Sequence, residues 1–244
     1  VRLRDVKPPA SLLHPRACRC FEDPETMERA MTLTTPDEIA ALFTRAGDYT
    51  FARWGRPIVP VVFGVEESTL AILKGAIEAV VALAGHKMAE QDTELGANLM
   101  FFFIRDWDDL IGVPNLERLI DGLPDLVTRL KGADANQYRM FRFDEAGAIR
   151  AAFVFIRVDK DLAEVPAEDL ALDQAVRMIC LWGENAFPKG TLVRAGAHTV
   201  LDPSLAAVIR AAYDPVLPAV AKDASHALRL FARAQTMGVG DAPL

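Results

Sequence analysis

Two short apolar runs, residues 58–63 and 99–104, bracket a long amphipathic segment, and this arrangement constrains the fold more than any other feature. Each run has the length and the apolar, β-branched and aromatic content of a strand, and Gly64 closes the first. Pro60 places that first strand at a sheet edge or a bulge, because proline cannot donate to a ladder. Between the runs, Leu70, Leu73, Ile77, Val80, Val81 and Ala84 keep helical spacing. Glu66 and Glu67 suit the positive end of that helix, and Gly85 its stop. At about 1.5 Å per residue the helix spans about 28 Å. Strand, helix, strand is a βαβ unit, so the two strands are expected to be parallel with a right-handed crossover.

The remaining elements follow from local signals. Thr35-Pro36-Asp37-Glu38 is a capping box with proline at the first helical position, opening a helix through Ile39, Leu42 and Phe43 to Gly47. Residues 106–131 read as short helical pieces broken by Gly112, Pro114, Gly122 and Pro124. Residues 138–143 and 149–158 read as strands joined across Asp144-Glu145-Ala146-Gly147, where Gly147 can supply a positive φ. Pro166, Glu168 and Asp169 open a helix whose buried stripe is Leu172, Ala175, Val176, Ile179 and Trp182, with Asp173, Gln174 and Arg177 facing away. Asp202-Pro203 and Pro218 open the two closing helices. The fold class is α+β: a mixed sheet of about four strands with a βαβ unit, a hairpin, packed helices and a helical C-terminal region.

Charge separates an arm from this domain. Residues 1–20 carry Arg2, Arg4, Lys7, Arg16 and Arg19 against Asp5 alone, in a chain of net charge −7. Residues 1–30 read as a disordered basic arm, 31–237 as one domain and 238–244 as a frayed tail. Met27 and Met31 precede the first firm helix, so residues 1–26 read as an upstream extension outside the fold. The acidic balance argues against general nucleic-acid binding, which needs a basic face. No stretch reaches the ~18 apolar residues of a membrane span. With no signal-peptide core in view, the expected compartment is the cytoplasm. The three cysteines, Cys18, Cys20 and Cys180, do not form a disulfide framework, and Cys18-Arg19-Cys20 lacks the further ligands of a metal clip.

Three segments carry a family resemblance: Arg53-Trp54 followed by Pro57-Ile58-Val59; Asn98-Leu99-Met100; and Ala211-Ala212-Tyr213-Asp214-Pro215. With the element order, they resemble an uncharacterised bacterial family of zincin-like domains (domain of unknown function 2927) across about residues 49–234. The resemblance implies a zincin-like layout, in which a metal would be held by two His at i and i+4 on the helix after the sheet, with Glu beside the first as base. The corresponding helix here offers Asp173-Gln174-Ala175-Val176-Arg177 and contains no His. The four histidines, His14, His86, His198 and His226, lie in separate elements. Asp173 and Arg177 are expected to form a solvated i, i+4 pair worth about 0.3–0.5 kcal/mol.

Other chemistry is sparse. Ser11, Ser68, Ser204 and Ser225 are the only serines and none sits in a Gly-x-Ser-x-Gly elbow; Cys180 adjoins a buried stripe and reads as a core thiol. No residue is singled out as catalytic, and no cofactor is called for. Glu66, Glu67, Asp106, Asp108 and Asp109 fall at one carboxyl edge if the first two strands are parallel. They are either N-terminal caps, the preferred reading, or ligands of an oxygen-bound divalent cation. Arg53, Trp54, Arg105 and Trp107 are candidate ligand-binding residues, weighed against core packing of the tryptophans. Arg229 and Arg233 share a helix face that would suit a protein partner, against a default of solvated surface. The leading expectation is a non-catalytic binding or interaction domain lacking the zincin metal ligands; the alternative is a hydrolase using a divalent cation at the carboxyl edge.

Overall fold

A computed structural model describes residues 33–94 and 96–238; the expectations for the basic arm, for Cys18 and Cys20, and for the tail past 238 lie outside them. The chain opens with α1 (Pro36–Leu42), β1 (Thr44–Arg45), β2 (Asp48–Tyr49) and β3 (Phe51–Ala52). Then come β4 (Pro60–Phe63), α2 (Glu67–Leu83), β5 (Leu99–Ile104), a 3-10 turn (Trp107–Leu110), α3 (Leu116–Leu119) and α4 (Leu123–Gly132). Strands β6 (Gln137–Phe143) and β7 (Ile149–Arg157) lead into α5 (Lys160–Ala163) and α6 (Ala167–Ile179). The closing elements are β8 (Leu192–Ala195), β9 (His198–Leu201), α7 (Pro203–Ala212), β10 (Val220–Ala221) and α8 (Ser225–Gly238).

The central sheet has the order β4-β5-β7-β6, with the first three strands parallel and β6 antiparallel to β7. This is the expected α+β architecture, with the βαβ unit in place and Pro60 on the edge strand β4. Period-two alternation then divides two cores. Leu99, Phe101, Ala152, Val154 and Ile156 point to the larger one, shared with α1, α2, α6, α7 and α8. Phe102, Ile104, Phe153, Phe155, Tyr138 and Met140 point to the other, closed by the 3-10 turn, α3 and α4. Because β5 and β7 are covered on both faces, their sequences read as continuous apolar runs.

Local chemistry sets the element ends. In α1 the Glu38 amide donates to Thr35 Oγ1 at 3.3 Å and the Thr35 amide donates to Glu38 Oε2 at 2.9 Å, the predicted capping box. The helix stops at Leu42 rather than Gly47; Gly47 takes a φ of +92° in the turn between β1 and β2. Gly64 follows β4 with φ +83°, and an added Cβ there would lie 2.0 Å from the Phe103 carbonyl oxygen, so only glycine fits. The last helix starts at Ser225, not at Pro218. Val220 and Ala221 are instead held extended against Ala52 and Phe51, and Asp223 Oδ1 accepts the Ser225 amide at 2.8 Å. The β8–β9 hairpin was not anticipated.

Helix α6 ends without a glycine cap: Cys180 continues in extended conformation. Its final carbonyls are instead met by ring donors, two from distant segments and one from just past the helix. Trp54 Nε1 donates to Met178 O at 2.9 Å, Trp182 Nε1 to Val176 O at 2.8 Å and Tyr213 Oη to Ile179 O at 2.7 Å. All three tryptophan rings are core, since Trp107 is fully buried and its Nε1 donates to Ala135 O at 2.8 Å. Cys180 is a buried free thiol whose pKa burial raises.

Near the start of α8, His226 is fully buried against Phe51, with ring centroids 4.5 Å apart. Its Nδ1 pairs with Tyr49 Oη at 2.7 Å, while Nε2 is buried without a hydrogen-bond partner among the described residues. Burial, helped by Arg229, pushes its pKa down from 6.5 to about 4. The folded state therefore binds this proton later than the unfolded state, and stability is full above pH 6.5 and falls as pH drops from 6.5 toward 4. Urea unfolding across that window is expected to show this loss, and His226→Phe to flatten it. Gly64→Ala is expected to cost about 2–4 kcal/mol. Gly75→Ala, in α2 with open space around the new methyl, is expected to gain about 0.5–1 kcal/mol in the same assay.

Candidate functional site

Parallel pairing of β4 with β5 does bring Glu66, Glu67, Asp106, Asp108 and Asp109 to one edge of the sheet, and all five are exposed. The aspartates are occupied locally. Asp106 Oδ1 accepts the Asp108 amide at 2.9 Å, and Asp109 Oδ2 accepts the amides of Arg105 and Asp106 at 3.1 and 3.0 Å, a capping box on the 3-10 turn. Asp108 pairs with Lys131 Nζ at 2.6 Å. Glu66 is the N-cap residue of α2 without a side-chain cap bond, and Glu67 lies in its first turn. Among the described residues no group of three or more His, Cys, Asp or Glu side chains is placed to hold a metal ion. Arg105 is exposed beside this turn, while Trp107 beneath it offers no ring face to solvent.

At the opposite edge, where the parallel strands begin, the three resemblance segments meet. Trp54 bridges to Ile149 at the start of β7, and its amide donates to Tyr213 Oη at 3.3 Å. Asn98 Oδ1 accepts the Val59 amide at 2.8 Å, and its Nδ2 donates to Pro57 O at 2.8 Å and to Asp92 Oδ2 at 3.0 Å. Arg53 lies over the Tyr213 ring at 5.2 Å, and His86 packs on the same ring at 5.1 Å. Every one of these contacts braces backbone or core, so the segments define a structural corner. Arg53 Nη2 reaches Leu217 O at only 3.4 Å and its Nε is buried without a hydrogen-bond partner among the described residues, so it holds this corner loosely.

The polar chemistry of the interior is concentrated on α6, and here the structure corrects the sequence reading. Asp173, Gln174 and Arg177 do not face away from the protein. Asp173 is 6% exposed, Gln174 0% and the Arg177 side chain 12%. The side of α6 opposite its apolar stripe is closed by the segment carrying Thr191 and by β6, whose Gln137 and Arg139 point to the α6 face of the sheet. Arg177 Nε donates to Asp173 Oδ1 and Oδ2 at 2.8 and 2.7 Å, and Thr191 Oγ1 donates to Oδ1 at 2.7 Å. Gln174 Nε2 donates to Asp173 Oδ2 at 3.2 Å and to Gln137 Oε1 at 3.0 Å. Arg139 Nη2 donates to Gln137 Oε1 and Gln174 Oε1, each at 2.6 Å.

Electrostatically the cluster is two cations around one anion. Burial alone would raise the Asp173 carboxyl, but Arg177 beside it, the bonds from Arg177 and Thr191, and the field of Arg139 hold it below its usual range. Arg139 is the strained member: burial, and then repulsion from Arg177, lower its pKa from 12.5 to about 9 against the pull of Asp173. Arg177 also stacks 5.0 Å from the Phe187 ring, which fixes its plane. Sequence reasoning missed Gln137 and Arg139. The signal was present in β6, where Tyr138 and Met140 alternate with Gln137 and Arg139, placing polar side chains opposite an apolar core face.

Comparison with protein-family models, curated proteins and solved structures finds no match to the chain, so the geometry of its own residues carries the functional argument. That geometry makes a direct stability prediction. Arg177→Leu leaves the Asp173 carboxylate in the interior without its principal partner and is expected to lower unfolding free energy by about 3–5 kcal/mol. The double variant Asp173→Leu, Arg177→Leu is expected to recover more than half of that loss in a denaturant titration.

Proposed function

We propose that the domain is a non-catalytic binding module on a zincin-like layout, with its recognition chemistry in the α6–β6 cluster. The observation that carries this reading is the saturation of Asp173. Its carboxylate accepts from a guanidinium, a hydroxyl and an amide, so the helix on which the resembled family would carry its metal ligands carries an internal ion pair here. The neighbouring Gln174 is an amide bonded to Asp173, Gln137 and Arg139. It has no proton to exchange at ordinary pH. What the cluster leaves over is Arg139, whose Nε has no partner among the described residues, on a frame of rigid helix and sheet strand, the usual setting for selective binding.

Two measurements test the reading. Zinc added to chelator-stripped protein is expected to leave its melting temperature unchanged, and hydrolysis of peptide and ester substrates is expected to stay at the buffer rate with or without Zn²⁺, Mg²⁺ or Mn²⁺. Turnover that needs a metal and disappears in Asp173→Ala would overturn the proposal. Saturable Mg²⁺ or Ca²⁺ binding lost in Asp106→Ala would move the site to the carboxyl edge.

A further inference from the structure

Arg177 and Arg139 share one interior carboxylate, and it belongs to Arg177. Asp173 sits within hydrogen-bond reach of Arg177, whereas the hydrogen-bond partners of Arg139 are the neutral oxygens of Gln137 and Gln174. Arg139 Nε is buried and has no hydrogen-bond partner among the described residues. The cluster thus carries one uncompensated positive charge together with an unmet donor. A charged group in such a place is normally paired, because withdrawal from water is costly unless an opposite charge offsets it.

The position lies at the border of the sheet: β6 is its last strand, and Arg139 as a residue is half-buried, with Nε closed off from solvent and Nη2 turned onto Gln137 and Gln174. The cluster also shows which planar group its donors suit, since guanidinium, hydroxyl and carboxamide already surround the Asp173 carboxylate. The charge to be matched is a single one. A phosphate monoester carries nearly two at neutral pH, whereas a carboxylate carries one.

From this we infer that Arg139 is the anchor of a carboxylate-binding site at the β6 edge, taking one carboxylate group of a small acid or of a polypeptide C-terminus. The inference rests on the binding-module reading and gives it a ligand class. Arg139 donates to the incoming carboxylate, Arg177 supports it electrostatically while remaining bonded to Asp173, and Gln137 and Gln174 hold the guanidinium plane. The lowered pKa of Arg139 agrees with a charge awaiting its partner, and a bound anion would raise it.

The test is thermal unfolding of the full chain at pH 7.5 and fixed ionic strength, balanced with chloride. The probes are acetate, N-acetyl-alanyl-alanine, the C-terminal amide of that dipeptide, and inorganic phosphate. Carboxylate is expected to raise the melting temperature along a saturating curve, and the amide to have no effect. Response to acetate identifies a small acid as sufficient; response to the dipeptide acid alone identifies a chain terminus. Arg139→Gln is expected to weaken the apparent affinity by about tenfold or more. Its melting temperature without ligand serves as the baseline for that comparison, because the change removes the uncompensated charge and also the donor to the buried Gln174 Oε1. Arg139→Lys, which keeps charge but not the planar donors, is expected to bind between the two and serves if the Gln variant does not fold. A flat response to both carboxylates, a response that survives in Arg139→Gln, or a larger response to phosphate overturns the inference. None of these outcomes involves turnover, so they leave the non-catalytic reading standing, whereas metal-dependent hydrolysis would defeat that reading independently.

Discussion

Helix α6 is enclosed on nearly every side, and the polar groups it carries must therefore be satisfied by protein. The sheet lies beneath it, α2 packs alongside, and the stretch bearing Thr191 covers what a helical wheel would label the wet face. Enclosure changes what each side chain is worth. An exposed Asp–Arg pair is a minor contributor, but the same pair in the interior is an obligation: losing one member strands the other. Gln174, at 0% exposure, bonds within the cluster, to Asp173, Gln137 and Arg139. The Gln174–Gln137 bond ties α6 directly to β6.

The two-sided sheet provides the frame for that cluster. Leu99 and Phe101 face one core, Phe102 and Ile104 the other, so β5 cannot slip by a residue without exchanging both. The first core also draws in α7 and α8, which pack on each other, with α1 against α8. The corner formed by Trp54, Asn98 and Tyr213 ties these helices to the beginning of the parallel strands. The residues that prompted the family resemblance serve that corner, about packing and backbone satisfaction and remote in kind from the polar cluster on α6.

The sequence made much of the fold legible where signals were local. Thr35 and Glu38 cap α1, Gly147 turns the β6–β7 hairpin with φ +86°, and the apolar run from Leu99 is a strand with its predicted limits. What stayed hidden depended on contacts distant in the chain. Pro218 looks like a helix opener, yet pairing of Val220 with Ala52 overrides the local preference. Asp173 and Arg177 look solvated because periodicity shows only where apolar residues lie, not what covers the remaining face. Arg139 escaped for the same reason: an arginine on an edge strand ordinarily points to water, and only α6 lying over it makes the residue exceptional.

The ring donors at the end of α6 have a mechanical implication. Three carbonyls in its last turn are each clasped by a different part of the chain: an indole from the segment after β3, an indole just beyond the helix, and a phenol after α7. Sliding the helix along its axis would break all three clasps together, so it behaves as a fixed post. Any shift that accompanies occupancy of the cluster must then be taken up by neighbours held less firmly, the outermost strand and the stretch around Thr191, while the post keeps its place.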